Sequence, residues 1–144
     1  MDITQDGFLG GKLLLNQPKV GYRAGIDPVL LAAACPAQPG DYILELGCGV
    51  GVASLCLAAR IPELKLHGVE ILSEYGELAR ANAVQNNFQF NVEIGSVSSQ
   101  PTPFYNLQFH HVIMNPPYFE AGSSPASPER GRASGKIEQT PLSH

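Results

Sequence analysis

Apolar residues along this chain fall into short runs separated by turn formers. Tyr42-Ile43-Leu44-Glu45-Leu46 is bounded by turn residues and reads as a buried strand. Gly47 to Gly51 follows as a glycine-rich turn, and Val52 to Ile61 reads as a helix that is apolar on most sides and stops at Pro62. Leu64 to Glu70 is a second strand ending in an acid. Ser73 is a candidate cap for a helix running to about Asn86, with Asn86-Asn87 as its turn. Phe90 to Ile94 is a third strand and Phe109 to Met114 a fourth, which places His110 and His111 on opposite faces of that strand. Upstream, Asp27-Pro28 opens a helix through Val29 to Ala34, with Asp27 as candidate cap, and Pro36, Pro39 and Gly40 close it. Residues 1–20 show no clear period and read as loop or a short strand.

Strand and helix alternate from residue 41 to about 94, the pattern of an α/β fold with a parallel sheet covered by helices. In such sheets ligands bind beyond the carboxyl ends of the strands. Glu45 lies near one such end, and Glu70, Ser96 and Asn115 lie at or just past the other three. One domain is expected over residues 1–120. The stretch 121–144 is rich in Gly, Ser and Pro, has few large apolar residues, and is expected to be a flexible loop or tail.

Composition narrows this reading. The 144 residues are 44% hydrophobic and 15% charged, which suits a soluble globular domain. No apolar run approaches the roughly 20 residues of a membrane-spanning helix, and the start lacks the basic region of a secretory signal. Cys35, Cys48 and Cys56 form no CxxC pair, so no metal site is expected, and reduced thiols suit a cytoplasmic location. The net charge of −4 is not that of a strongly basic nucleic-acid binder. Arg130, Arg132 and Lys136 form a loose basic patch that fits an RNA backbone or a solvated tail equally well.

Two motifs carry chemistry. Glu45-Leu46-Gly47-Cys48-Gly49-Val50-Gly51 is a strand end followed by a GxGxG turn, where glycine lets the backbone approach a ligand closely. Such a turn also serves dinucleotides or simply reverses the chain. Dinucleotide folds favour GxGxxG, however, and the Glu45 carboxylate would repel a pyrophosphate. It would attract S-adenosylmethionine, whose methionine end carries an ammonium and a sulfonium. Glu70 ends the next strand at about the offset where an acid accepts hydrogen bonds from ribose hydroxyls. The second motif is Asn115-Pro116-Pro117-Tyr118, in which two prolines fix the backbone and remove two donors. Taken alone it is also a proline-rich turn at a strand end. The Asn115 side-chain oxygen and the Pro116 carbonyl can accept the two N–H bonds of a planar amino or amide group. That aims the nitrogen lone pair, while Tyr118 can stack on the planar group.

With both motifs in view, the chain resembles the small-domain class of Rossmann-like, S-adenosylmethionine-dependent methyltransferases. It resembles most the bacterial enzymes that methylate adenine N6 beside the anticodon of a valine tRNA. The segments carrying this are GYRAGIDPVLLAAA at 21–34, ELGCGVGVASL at 45–55, GVEI at 68–71 and MNPPYF at 114–119. The resemblance implies a cofactor site of Glu45, Gly47, Cys48, Gly49, Gly51, Glu70, Ile71, Ser96 and Asn115, and a catalytic set of Asn115, Pro116, Pro117 and Tyr118. Ser96 stands where such enzymes usually carry an acid. The implied partner is tRNA. Glutamine methylation in a release factor, rRNA base methylation and an inactive cofactor-binding fragment are the alternatives. The family sheet has seven strands in the order 3-2-1-4-5-7-6. Four are legible here, so the chain is expected to be the amino-terminal part of that fold, with an exposed fourth-strand edge able to self-associate.

Overall fold

The structure, a computed structural model, describes residues 1–21, 24–96, 104 and 106–115. Its strands are β1 (Ile3–Phe8), β2 (Leu13–Pro18), β3 (Tyr42–Leu46), β4 (Lys65–Glu70), β5 (Phe90–Ile94) and β6 (His111–Met114). The helices are α1 (Asp27–Ala34), α2 (Val52–Arg60) and α3 (Ser73–Gln85). β3 to β6 form a parallel sheet in the order β5-β4-β3-β6. This is the expected α/β fold, and its order corresponds to 3-2-1-4, the first four places of the seven-strand order that the resemblance implied.

Strand alternation divides the core in two. Ile43, Leu66, Phe90, Val92 and Ile113 face the main cluster, joined by Leu55 and Leu57 of α2, Ala79 and Ala83 of α3, and Ala32 of α1. Leu44 and Val69 face the other side, where Phe104, Leu107 and Phe109 cover them. The described helices therefore all pack on one face of the sheet. Burying side chains as fully as Leu55, Leu57 and Leu66 contributes about 1.5–3 kcal/mol each.

Several local expectations are corrected. Residues 3–18 are neither loop nor a lone strand but an antiparallel hairpin, β1 paired with β2 from Ile3↔Pro18 to Phe8↔Leu13. Leu13 and Leu15 of β2 enter the main core, so this hairpin is part of the domain. Neither Asp27 nor Ser73 caps by its side chain. Each is the first helical residue, after Ile26 and Leu72 respectively. Asp27 still places a negative charge in the first turn of α1, which suits the helix dipole. β6 begins at His111 rather than Phe109, because His110 turns back onto the start of β3. Its Nδ1 accepts the Tyr42 N–H at 2.9 Å and its own N–H reaches the Tyr42 carbonyl at 2.8 Å. The tail expected at 121–144 lies outside the described residues.

Candidate active site

The sequence runs β3, β4, β5 in one direction across the sheet and then returns to place β6 on the other side of β3. The switch point is therefore at the carboxyl ends of β3 and β6, where open α/β sheets bind ligands. The register Leu46↔Met114 sets the first residues beyond each strand, Gly47 and Asn115, abreast. A cleft opens there, lined by Glu45, Gly47, Cys48, Gly49, Tyr75 and Asn115 among others.

The glycine loop is conformationally demanding. Gly47, Gly49 and Gly51 have φ of 66°, 56° and 94°, values that residues with a side chain rarely adopt. Its N–H groups are mostly spent inside the protein. Cys48 donates to the Val69 carbonyl at 3.0 Å, Gly49 to Glu70 Oε1 at 2.8 Å, and Gly51 to the Cys48 carbonyl at 2.9 Å. A phosphate cradle presents such donors to its ligand. This loop turns them inward, which favours a ligand without phosphate.

Two carboxyl groups flank the loop. Glu45 is only 3% exposed, and its Oε1 accepts both the Ser54 N–H at 3.2 Å and the Ser54 hydroxyl at 2.7 Å. Among the described residues no ion pair involves it. Burial pushes its pKa up to about 8, with the nearby Glu70 charge adding to the rise against the Ser54 hydrogen bonds. Such a carboxyl becomes an anion readily only when a cation joins it. Glu70 is buried as well. Its Oε1 holds Gly49 and its Oε2 accepts the Leu72 N–H at 2.9 Å, so it braces the loop while standing at the strand end. Burial raises its pKa, opposed by the backbone donors of Leu72, Gly49 and Ile71.

Of the residues expected from sequence, Glu45, Gly47, Cys48, Gly49 and Asn115 share the cleft. Gly51 closes the loop behind it as the left-handed residue before α2. Glu70 reaches the loop through Gly49, while Ile71, half exposed, and Ser96 follow the ends of β4 and β5 outside the cleft lining. Pro116, Pro117 and Tyr118 lie outside the described residues. Cys48 is buried, its sulfur packs against Gly68, and burial drives its thiol well above the ordinary value. His110 and His111 sit at the opposite end of the sheet, beside Asp41. Among the described residues no cluster of His, Cys, Asp and Glu could hold a metal.

Sequence reasoning missed three contributors. Ser54 fixes Glu45, Tyr75 walls the cleft, and Asn82 holds the loop from behind. Tyr75 carried a signal, since it stands in the first turn of the helix that follows an acid-ended strand.

The sequence pattern that defines the methyltransferase small domain matches residues 14–127. The chain belongs to the methyltransferase small domain family. The matched span begins inside β2 and contains every site residue named above. A tRNA1(Val) (adenine(37)-N6)-methyltransferase of Porphyromonas gingivalis is 34% identical in an alignment that covers 88% of this chain and 52% of that protein. A protein of the same name from Photorhabdus laumondii is 33% identical, over 82% of this chain and 49% of its own. The chain thus spans about half the length of the curated relatives it matches. In fold, this methyltransferase small domain is like the Pyrococcus abyssi tRNA (uracil-54, C5)-methyltransferase in complex with S-adenosyl-L-homocysteine. The TM-score is 0.61 at 22% identity, covering 81% of this chain and 28% of that one. Among the described residues no helix is long and apolar enough to cross a membrane.

Proposed function

We propose that this domain binds S-adenosylmethionine in the cleft between β3 and β6 and serves methyl transfer to the N6 amine of an adenine in tRNA. The observation that carries this reading is the register that sets Asn115 beside Gly47. It puts an amide able to hold an amine next to a loop flanked by a buried carboxyl that, among the described residues, has no cationic partner. The residues present fit the cofactor: Glu45 favours a positive methionine end, and the inward-turned loop donors disfavour phosphate. When bound, the cofactor supplies the electrophilic methyl group. Glu45 would hold its cationic end, Glu70 would accept hydrogen bonds from its ribose, and Ile71 and Ser96 would complete the set that holds it. The Asn115 carboxamide oxygen accepts one N–H of the target amine. The motif assigns the other N–H to the Pro116 carbonyl and stacking on the base to Tyr118, both outside the described residues. Catalysis is then positioning for in-line transfer, with no strong base required. The choice of tRNA is supported by the names of the relatives, while the NPPY motif suits any planar amino or amide nitrogen.

The test has two stages. Calorimetry with S-adenosylhomocysteine should show binding by the wild-type protein and, with a loss of affinity far smaller than the loss of turnover, by Asn115→Ala. Transfer of labelled methyl groups should favour total tRNA over rRNA and release factor, and should fall about 10²–10³-fold in Asn115→Ala, the scale of losing one preorganised polar group. Survival of turnover with collapse of cofactor affinity would overturn the role given to Asn115. Preference for release factor would overturn the substrate.

A further inference from the structure

Asn82 lies in the middle of α3 and is fully buried. Its side chain uses three hydrogen bonds, none of them within its own helix. Oδ1 accepts the Asn16 N–H at 2.8 Å, while Nδ2 donates to the Asn16 carbonyl at 3.0 Å and to the Val50 carbonyl at 2.9 Å. The first two bonds treat Asn82 as if it were the neighbouring strand of β2. The third reaches into the glycine loop, at a residue that lines the cleft. One turn later, Asn86 repeats only the first part. Its Oδ1 accepts the Leu14 N–H at 3.1 Å and its Nδ2 donates to the Leu14 carbonyl at 2.9 Å. The two asparagines share one helix face and grip the same strand, yet only Asn82 touches the loop.

A second tie runs from the same hairpin to another residue of the cleft lining. Gln17 of β2 is buried, its Nε2 donates to Asp6 of β1 at 2.9 Å, and its Oε1 accepts the Ala24 N–H at 2.8 Å. Ala24 lines the cleft together with Val50. The hairpin is thus bonded to the lining of the candidate cofactor site at two residues, although it contributes no expected site residue itself.

We propose that Asn82 is a positioning residue for the glycine loop: its carboxamide locks the Val50 carbonyl to β2, so that the amino-terminal hairpin holds the cofactor cleft in its binding shape. The inference rests on the cofactor reading for its effect on affinity, but not for its effect on the loop. A buried carbonyl that loses its donor carries its desolvation cost unrelieved, so the loop must move or hydrate when Asn82 is removed. Three glycines in left-handed conformation give that loop alternatives to move into.

The experiment compares Asn82→Ala, Asn82→Asp and Asn86→Ala. All three weaken the seat of the hairpin. Only the changes at Asn82 remove the donor to Val50, and Asn82→Asp does so while keeping the acceptor for the Asn16 N–H. Amide exchange at Gly49 and Gly51 should quicken about tenfold in both Asn82 variants and stay at the wild-type rate in Asn86→Ala, the scale of one lost buried hydrogen bond. The dissociation constant for S-adenosylhomocysteine should weaken by about tenfold in the same two variants and not in Asn86→Ala. Equal loop exchange in all variants overturns the proposal. A wild-type protein that does not bind S-adenosylhomocysteine overturns the cofactor reading, while the exchange result still decides the role of Asn82. If the Asn82 variants do not fold, native-state exchange on the wild-type protein decides the question. The Asn16 amide and the Gly51 amide should then open with one common denaturant dependence, and separate openings overturn the coupling.

Discussion

Glu45 shows how one residue can couple the fold to its ligand. Its carboxyl is sealed between β3 and α2, and burial lifts its pKa to about 8 from an ordinary value of 4.5. In the unfolded chain the group ionises at the ordinary value. Between those two limits the folded form holds a proton that the unfolded form has released, so the proton-bound group stabilises the fold at low pH. That stabilisation is complete below the unfolded pKa and is lost as pH rises through the folded one. The free protein should therefore lose on the order of 2–5 kcal/mol from this group between about pH 5 and pH 8. His67 acts in the opposite direction. It is buried against Phe104, Phe109 and Tyr42, and burial lowers its pKa, so its contribution is lost as pH falls below the unfolded value. The difference between wild type and Glu45→Gln isolates the acid, because the amide keeps an oxygen for Ser54 and cannot ionise. Melting temperatures of the two proteins should lie close at low pH and separate as pH rises from about 5 to about 8, with Glu45→Gln then the more stable. A difference that does not vary with pH would contradict the burial argument.

At the scale of elements, the contact between β4 and the glycine loop depends on an absent side chain. Gly68 faces the main core, where the Phe90 ring and the Cys48 sulfur fill its place. A methyl group there would sit 2.8 Å from Phe90 Cζ and 2.9 Å from Cys48 Sγ. Neither neighbour yields cheaply, since the ring is packed in the core and the sulfur belongs to the strained loop. Gly68→Ala should cost about 1–3 kcal/mol by overpacking. Gly76 in α3 offers the contrast. A methyl group there would meet the Cδ1 end of Ile94, a flexible tip on a side chain that is 37% exposed and can swing outward. Alanine also gains about 1 kcal/mol of helix propensity over glycine. Gly76→Ala should therefore be near neutral or stabilising, and urea unfolding of the pair checks both signs. The elements themselves were legible wherever punctuation was local. β3 and α2 are bounded at both ends by Gly or Pro within two residues, α3 and β5 are closed by Asn86 and Gly95, and β4 is an apolar run that follows Pro62 and ends in an acid. The hairpin was not legible, because ITQDGF alternates only between exposed and half-buried positions and β2 owes its place to Asn82 and Asn86, more than 60 residues away. The shortened start of β6 was hidden for the same reason, since His110 pairs with Tyr42 across the sheet.

At the scale of the whole molecule, the two ends of the sheet differ. On one side β5 is backed by α3, with Arg80 donating to the Val92 carbonyl from the helix. On the other side, among the described residues, β6 is bonded to β3 alone. The site was half legible for a related reason. Glu45, the glycine loop and Asn115 are strand-end positions that sequence order fixes, whereas Ser54 and Asn82 enter through packing between elements. Asn115 extends from β6, so whatever occupies the outer side of that strand also bears on the site. Val112 lies in the middle of β6 and is 56% exposed on the face away from the helices. A parallel strand whose outer N–H and C=O groups pair with no other described strand, and which carries an apolar exposed residue, is a template for another chain. We predict that the 144-residue protein associates with itself through this edge. Val112→Lys should shift the equilibrium toward monomer, because a charge on an edge strand disfavours pairing. It should leave the melting temperature of the monomer nearly unchanged, since the side chain is largely in solvent already. Sedimentation velocity over a concentration series reads the outcome. A wild-type protein that stays monomeric across that series, or a Val112→Lys variant that associates as strongly as wild type, would place the self-association elsewhere or nowhere.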